Sequence, residues 1–129
     1  MWADDNASRA LGMALEDVAP GRARLTMTVR EDMTNGHGIA HGGFIFTLAD
    51  SAFAFACNSS GQRTVAGQCQ ISYLRPVTKG DHLIAEAIER FREGRSGITD
   101  VTVRNQDGEV VAEFRGHSRT IKGSLFEDG

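Results

Sequence analysis

His41-Gly42-Gly43-Phe44-Ile45-Phe46-Thr47-Leu48-Ala49-Asp50-Ser51-Ala52-Phe53-Ala54-Phe55-Ala56-Cys57 is the stretch on which the fold of this chain turns. After the two glycines, residues 44–57 are apolar on every helical face, with Asp50 set in their middle. Such a run predicts a helix, and a helix that is hydrophobic all round belongs inside the protein. An ionised carboxylate is seldom buried there without a partner or a task. Asp50 therefore has two readings: a structural carboxylate satisfied by Thr47 or Ser51, or a catalytic one. The glycines also have two. They permit close packing of the helix, or they leave its first backbone N–H groups open to a negatively charged atom.

The segments around this helix read mostly as strands. Residues 4–11 suit a short helix capped by Asp4 or Asp5 and stopped by Gly12. Residues 22–30 alternate, with Ala23, Leu25, Met27 and Val29 on one face, which predicts a half-buried strand. Residues 31–40 form a loop marked by Asn35-Gly36 and Gly38. Ser59-Ser60-Gly61 closes the central helix, with Gly61 as its C-cap. Residues 64–74 and 82–91 follow as strands, and 97–105 and 109–121 form a hairpin across Gln106-Asp107-Gly108. The tail, 122–129, is expected to fray. The order is a short helix, one or two strands, one long helix and four strands. That predicts an α+β fold in which an antiparallel sheet covers most of the helix, with a partner chain to cover the rest.

The bulk composition narrows the function. The 129 residues suit one domain, 1–129, with 40% hydrophobic and 24% charged residues. A net charge of -3 and scattered basic residues argue against nucleic acid or an anionic membrane as main partner. The N-terminus has no charged-then-apolar leader, and the apolar helix is too short and interrupted to span a bilayer, so the expected location is cytoplasmic. Cys57 and Cys69 lack zinc spacing and read as reduced thiols. His37 and His41 are four apart, but Gly38 places them in a loop, so no metal site is expected.

The candidate chemistry lies on the helix. A carbonyl under attack develops negative charge on oxygen, which the Gly42 N–H can stabilise. Asp50 can act as general base on water or as the nucleophile. The two are eight residues apart, roughly 12 Å along a helix axis at 1.5 Å per residue. They cannot meet one carbonyl from a single chain, so cooperation demands a two-fold pair of copies. Asn35 can hold a carbonyl or a water, or serve only as a turn residue. His41 stands where it can orient Gly42 or meet a substrate. Arg75-Pro76 and Gly94-Arg95-Ser96, at strand ends, suit a phosphate or a solvated turn. No Gly-x-Ser-x-Gly motif marks Ser59 or Ser60 as a nucleophile. An acyl pocket lined by Phe44, Phe46, Phe53 or Phe55 is expected.

Asn35-Gly36-His37, Ala40-His41-Gly42-Gly43 and Asp50, with Leu74-Arg75-Pro76 and Phe114-Arg115-Gly116, resemble the hotdog-fold thioesterases over nearly the whole chain. The longer runs around Asp50 narrow the likeness to the phenylacetate-degradation (PaaI) type. The resemblance implies a hotdog fold, an antiparallel β-sheet wrapped around one long central α-helix. It implies hydrolysis of acyl-coenzyme A thioesters, aryl-acetyl types such as (hydroxy)phenylacetyl-CoA especially, without a cofactor, since coenzyme A belongs to the substrate. It implies a homodimer with shared active sites, commonly doubled to a tetramer. In that scheme Gly42, next to Gly43, donates its N–H to the thioester carbonyl and Asp50 of the second copy activates water or attacks. Asn35 positions the water or carbonyl, and His41 supports the site. Arg75, Pro76, Gly94, Arg95 and Ser96 fall where the family meets coenzyme A. One departure is Ala66, near which some members carry Ser or Thr. A helper there must come from Gln68 or Thr64. A hotdog hydratase or dehydratase is the first alternative, but Asp50 has no histidine near it in sequence. A non-catalytic acyl-CoA binding module is the second.

Overall fold

A computed structural model of the chain describes residues 2–59 and 61–124. Helix α1 (Asn6–Ala10) precedes strands β1 (Ala14–Ala19) and β2 (Arg22–Thr28). Helix α2 (Gly42–Cys57) follows, then β3 (Gln62–Tyr73), β4 (His82–Glu93), β5 (Ser96–Arg104) and β6 (Val110–Ser124). The strands form one antiparallel sheet in the order β1-β2-β4-β5-β6-β3. Helix α2 packs against all six of them, so the sheet curves around it, as expected for the α+β arrangement.

Asp5 is the cap of α1 and accepts from the Ser8 N–H at 3.0 Å, while Gly12 leaves the helix at φ 73. Strand β2 buries Ala23, Leu25 and Met27 as its alternation requires. In β4, Leu83, Ala85 and Ala87 face the core against Val101 and Val103 of β5. At the β5–β6 turn, Asn105 Oδ1 accepts from the N–H groups of Asp107 and Glu109, and Gly108 adopts φ 79.

Three expectations need correction. The loop before α2 holds a 3-10 turn, Glu31–Met33, and is tied down by bridges pairing Thr34 with Ala40 and Ile39 with Thr78. The C-cap of α2 is Asn58, not Gly61. The Asn58 amide bridges Ala54 O and Thr64 O, and its Oδ1 accepts from Thr64 N–H, so the side chain staples the helix end to β3. Ser60 and residues 125–129 lie outside the described residues. Residues 122–124 belong to β6 rather than to a frayed tail, because β6 pairs with β3 as far as Ser124.

The helix lies close to the sheet at one residue. A Cβ on Gly116 of β6 would come 2.6–2.8 Å from the ring of Phe53. Phe53 is buried and packs against Phe114, with centroids 5.7 Å apart, so its ring has no room to retreat. Gly116→Ala is expected to destabilise the fold by about 1–3 kcal/mol, the usual cost of overpacking a filled core. Urea unfolding of the variant measures it, and Phe53→Leu in the same chain should recover part of the loss.

Candidate active site

Helix α2 begins at Gly42, and its N-cap is His41. Histidine is an uncommon cap, yet here Nδ1 accepts from the Gly43 N–H at 2.9 Å. The Phe44 N–H bonds His41 O at 3.0 Å. The Gly42 N–H has no acceptor among the described residues. Gly42 also lines a cleft of about 390 Å³ at this end of the helix. An open N–H at a helix start, on the wall of a cleft, is the arrangement an oxyanion donor needs.

The cleft gathers Gly42, Asn35, Arg75 and Pro76, and its apolar wall comes from Ile39, Ile45, Leu74 and Val77. The expected phenylalanine lining is not what forms it. Phe53 and Phe55 are buried in the core, Phe46 packs on Phe114, and Phe44 lies edge-on to His41. The helix periodicity could not assign these rings, because α2 is packed on several faces at once. Tyr73 is a further cleft residue that the sequence reading did not single out. Its hydroxyl donates to Gly42 O at 2.9 Å. The available signal was a large aromatic ending an alternating strand just before Leu74-Arg75-Pro76.

Asn35 makes the turn bond of one reading and leaves its amide nitrogen open for the other. Its Oδ1 accepts from the His37 N–H at 2.8 Å, forming a turn. Because an N–H can only meet the oxygen, the orientation of the amide is fixed, and its Nδ2 has no acceptor among the described residues. Arg75 donates to Val110 O at 2.7 Å and lies 3.6 Å from Glu109, half-exposed at the cleft rim. Thr64 is committed to Asn58 at the far end of α2, whereas Gln68 is exposed beside a bulge in the β3–β6 pairing.

The structure does not bring all candidates together. Gly94 and Arg95 form the β4–β5 turn and Ser96 opens β5, while Arg92 just before the turn donates to Cys57 O at the C-terminus of α2. Fifteen rises of helix, about 22 Å at 1.5 Å per residue, separate that end from Gly42. Asp50 likewise does not line the cleft. Neither proposed structural partner satisfies it: Thr47 donates to Gly43 O, and Ser51 bonds Ser8. The carboxylate has no hydrogen bond or ion pair among the described residues, and burial raises its pKa. It lies on a partly exposed stripe of α2 with Gly43, Thr47 and Ala54, which the sheet leaves uncovered.

Comparison with known proteins settles the family. A family model described as the thioesterase superfamily matches residues 37–112, from the Asn35 turn to the start of β6. The chain belongs to the thioesterase superfamily. The acyl-coenzyme A thioesterase PaaI of Escherichia coli K12 is 44% identical over 125 residues, 97% of this chain and 89% of that protein. Human acyl-coenzyme A thioesterase 13 is 32% identical over 85% of this chain and 81% of its own. Among solved structures, the E. coli PaaI protein from the phenylacetic acid degradation operon superposes with a TM-score of 0.95 at 44% identity, covering 96% of this chain and 90% of that one. The smu.793 protein of Streptococcus mutans, bound to acetyl CoA, has a TM-score of 0.83 at 29% identity, covering 87% and 90%. The fold of this thioesterase is the hotdog fold.

The unpaired Asp50 has a thermodynamic consequence. Its raised pKa means that the folded state favours the protonated acid. The stability this gives is fully present below the ordinary aspartate pKa and is lost as pH rises through the folded-state value. Asp50→Asn should therefore raise the melting temperature by roughly a few degrees at pH 7, with the gain vanishing near pH 3. Calorimetry of both proteins across that range checks it.

Proposed function

We propose that this thioesterase hydrolyses acyl-coenzyme A, with aryl-acetyl groups such as phenylacetyl or hydroxyphenylacetyl as its acyl class, and that two copies share each site. The observation that carries the reading is the open Gly42 N–H on an apolar cleft, with the unpaired Asp50 eight residues along the same helix. Water adds to the thioester carbon, the developing oxyanion is held by the Gly42 N–H, and the C–S bond breaks to give a carboxylate and the thiol of coenzyme A. Asp50 of the second copy takes the proton from water, or attacks first and is released by water. Asn35 Nδ2 is a spare donor for the water or the carbonyl. The aryl-acetyl assignment rests on the 44% likeness to E. coli PaaI and on a cleft wall of Ile39, Ile45, Leu74 and Val77 that suits an apolar group.

The second copy is supported by spacing and by the uncovered stripe. Gly43, Thr47 and Ala54 are small enough for a second helix to approach Asp50 closely. Strand β3 ends the sheet with one edge unpaired and most of its side chains exposed, and an open edge is the natural seat for another strand. A further doubling to a tetramer accords with the same scheme. Arg75 and Pro76 at one end of the helix, and Gly94, Arg95 and Ser96 at the other, are proposed to meet the nucleotide part of coenzyme A. The reaction needs no cofactor beyond its substrate. No helix among the described residues is long and apolar enough to cross a membrane, and a cytoplasmic place in phenylacetate breakdown fits this chemistry.

Thiol release from phenylacetyl-CoA, set against a panel of aliphatic acyl-CoA esters, tests the substrate class. Asp50→Asn should lower kcat by about 10³-fold, within the usual range for loss of a general base. The carboxylate is the working form, so kcat/KM should fall as pH drops, with its acid limb above the ordinary aspartate range because burial raises this pKa.

Sharing of the site is tested by complementation. Gly42→Ala and Asp50→Asn are each expected to be nearly inactive. Mixed through refolding or co-expression, a statistical population of dimers is half heterodimer, each with one intact site. About a quarter of wild-type activity should then return if sites are shared across a two-fold axis. Activity no higher than the mean of the two parents would place both residues in one chain and sink the shared site.

A further inference from the structure

The peptide unit between Gly42 and Gly43 is gripped at both ends by side chains. Its carbonyl accepts from the Tyr73 hydroxyl at 2.9 Å. Its N–H donates to His41 Nδ1 at 2.9 Å. Tyrosine, peptide and imidazole thus form one chain of hydrogen bonds, whose members polarise one another. An imidazole nitrogen that accepts a hydrogen bond carries no proton. In the neutral ring the proton then lies on Nε2, which becomes a donor.

Tyr73 also restrains Gly42 by contact. A Cβ on Gly42 would lie 3.0 Å from Tyr73 Cζ, 3.1 Å from its Oη and 3.3 Å from its Cε1. The ring is therefore seated on the Cα that carries the open N–H. Tyr73 is the last residue of β3, lines the same cleft, and is 50% exposed, so it adds little to the core. Partial burial raises its pKa, which keeps the hydroxyl a donor throughout the working range.

We propose that Tyr73 is a positioning residue for thioester hydrolysis: through the Gly42–Gly43 peptide it holds the Gly42 N–H toward the cleft and fixes His41 as its Nε2–H tautomer. The proposal rests on the reading of Gly42 as the oxyanion donor. Tyr73 touches neither water nor the proton in flight. It fixes the backbone that does the binding, and displacement of a preorganised donor raises the barrier without weakening ground-state binding.

Tyr73→Phe keeps the ring and removes only the hydroxyl. Its kcat for phenylacetyl-CoA should fall roughly tenfold with KM within about twofold, the split expected when an interaction is used mainly in the transition state. The melting temperature should stay within about 2 °C, since a half-exposed hydroxyl is lost from a rigid strand end. In ¹⁵N NMR of the full chain, the Gly43 amide should shift and the His41 ring should pass from one tautomer to a mixture. A variant that raises KM and leaves kcat alone would make Tyr73 a substrate contact and overturn the proposal. An unmoved Gly43 amide with unchanged His41 nitrogens would also overturn it, by showing that the relay carries nothing. A wild-type protein inert toward every acyl-CoA ester would bring down the thioesterase reading together with this role. Wild-type activity matched by the variant in kcat would bring down the Tyr73 role alone.

Discussion

The seat of Phe53 on Gly116 is the contact from which the position of the site follows. Gly116 stands opposite Cys69 in the β3–β6 pairing, and four residues further along, Ala112 stands opposite Tyr73. That register fixes how far Tyr73 lies from the point where the helix rests on the sheet. From Phe53 back to Gly42 the helix runs eleven residues, about 16 Å at 1.5 Å per residue. From Cys69 to Tyr73 the strand runs about 13 Å at its larger rise. The two lengths bring the helix start and the strand end to one place, where Tyr73 meets Gly42. A one-residue slip of β3 against β6 would turn Tyr73 to the opposite face and part it from Gly42, while Gly116, held in β6 by β5, would stay beneath Phe53. The β3–β6 register therefore links the functional contact to the core contact.

The open stripe on α2 sets stability against function. Its buried faces carry Leu48, Ala49, Ala52 and Phe53, none more than 1% exposed. Its open face carries Asp50, a carboxylate that burial disfavours and nothing among the described residues relieves. A leucine there would cost a lone protomer little. The chain instead keeps a carboxylate where desolvation makes it more basic, the property that the proposed proton abstraction from water would use. The same logic holds at Gly42. A larger residue would crowd the Tyr73 ring, 3.0 Å from a Cβ there, beside the open N–H.

Most of the fold could be read from period alone, and the exceptions have physical causes. Strands β2, β4, β5 and β6 alternate because one face meets the helix and the other meets water. Strand β1 (Ala14–Ala19) has little buried on either face, so it has no alternation to detect, and only its pairing with β2 makes it a strand. Asn58 displaced Gly61 as the cap because its amide joins two carbonyls ten residues apart, Ala54 O in α2 and Thr64 O in β3, a tertiary link that no helix-stop signal encodes. The site was legible where local chemistry defines it: His41-Gly42-Gly43 at a helix start and Asp50 on a buried run. The cleft wall was not. Ile39 and Val77 come from connecting segments joined by the Ile39–Thr78 bridge and by the bond from Ala40 N–H to Val77 O, and pairings between distant segments leave no periodic trace.

Two separations in the single chain would be resolved by one operation in the proposed dimer. Gly42 and Asp50 stand about 12 Å apart on the helix, and the Arg75 and Gly94-Arg95-Ser96 segments lie near its two ends, which are about 22 Å apart. In the proposed dimer, a two-fold axis crossing α2 near Phe46 would set Gly42 against Asp50 of the second copy. The same axis would carry the C-terminal end of that second helix, with the β4–β5 turn that Arg92 anchors to it, toward the cleft end of the first. A substrate with a short reacting head and a long phosphorylated tail needs donors at both distances. The proposed dimer that would complete the reacting centre would therefore also lengthen the binding track.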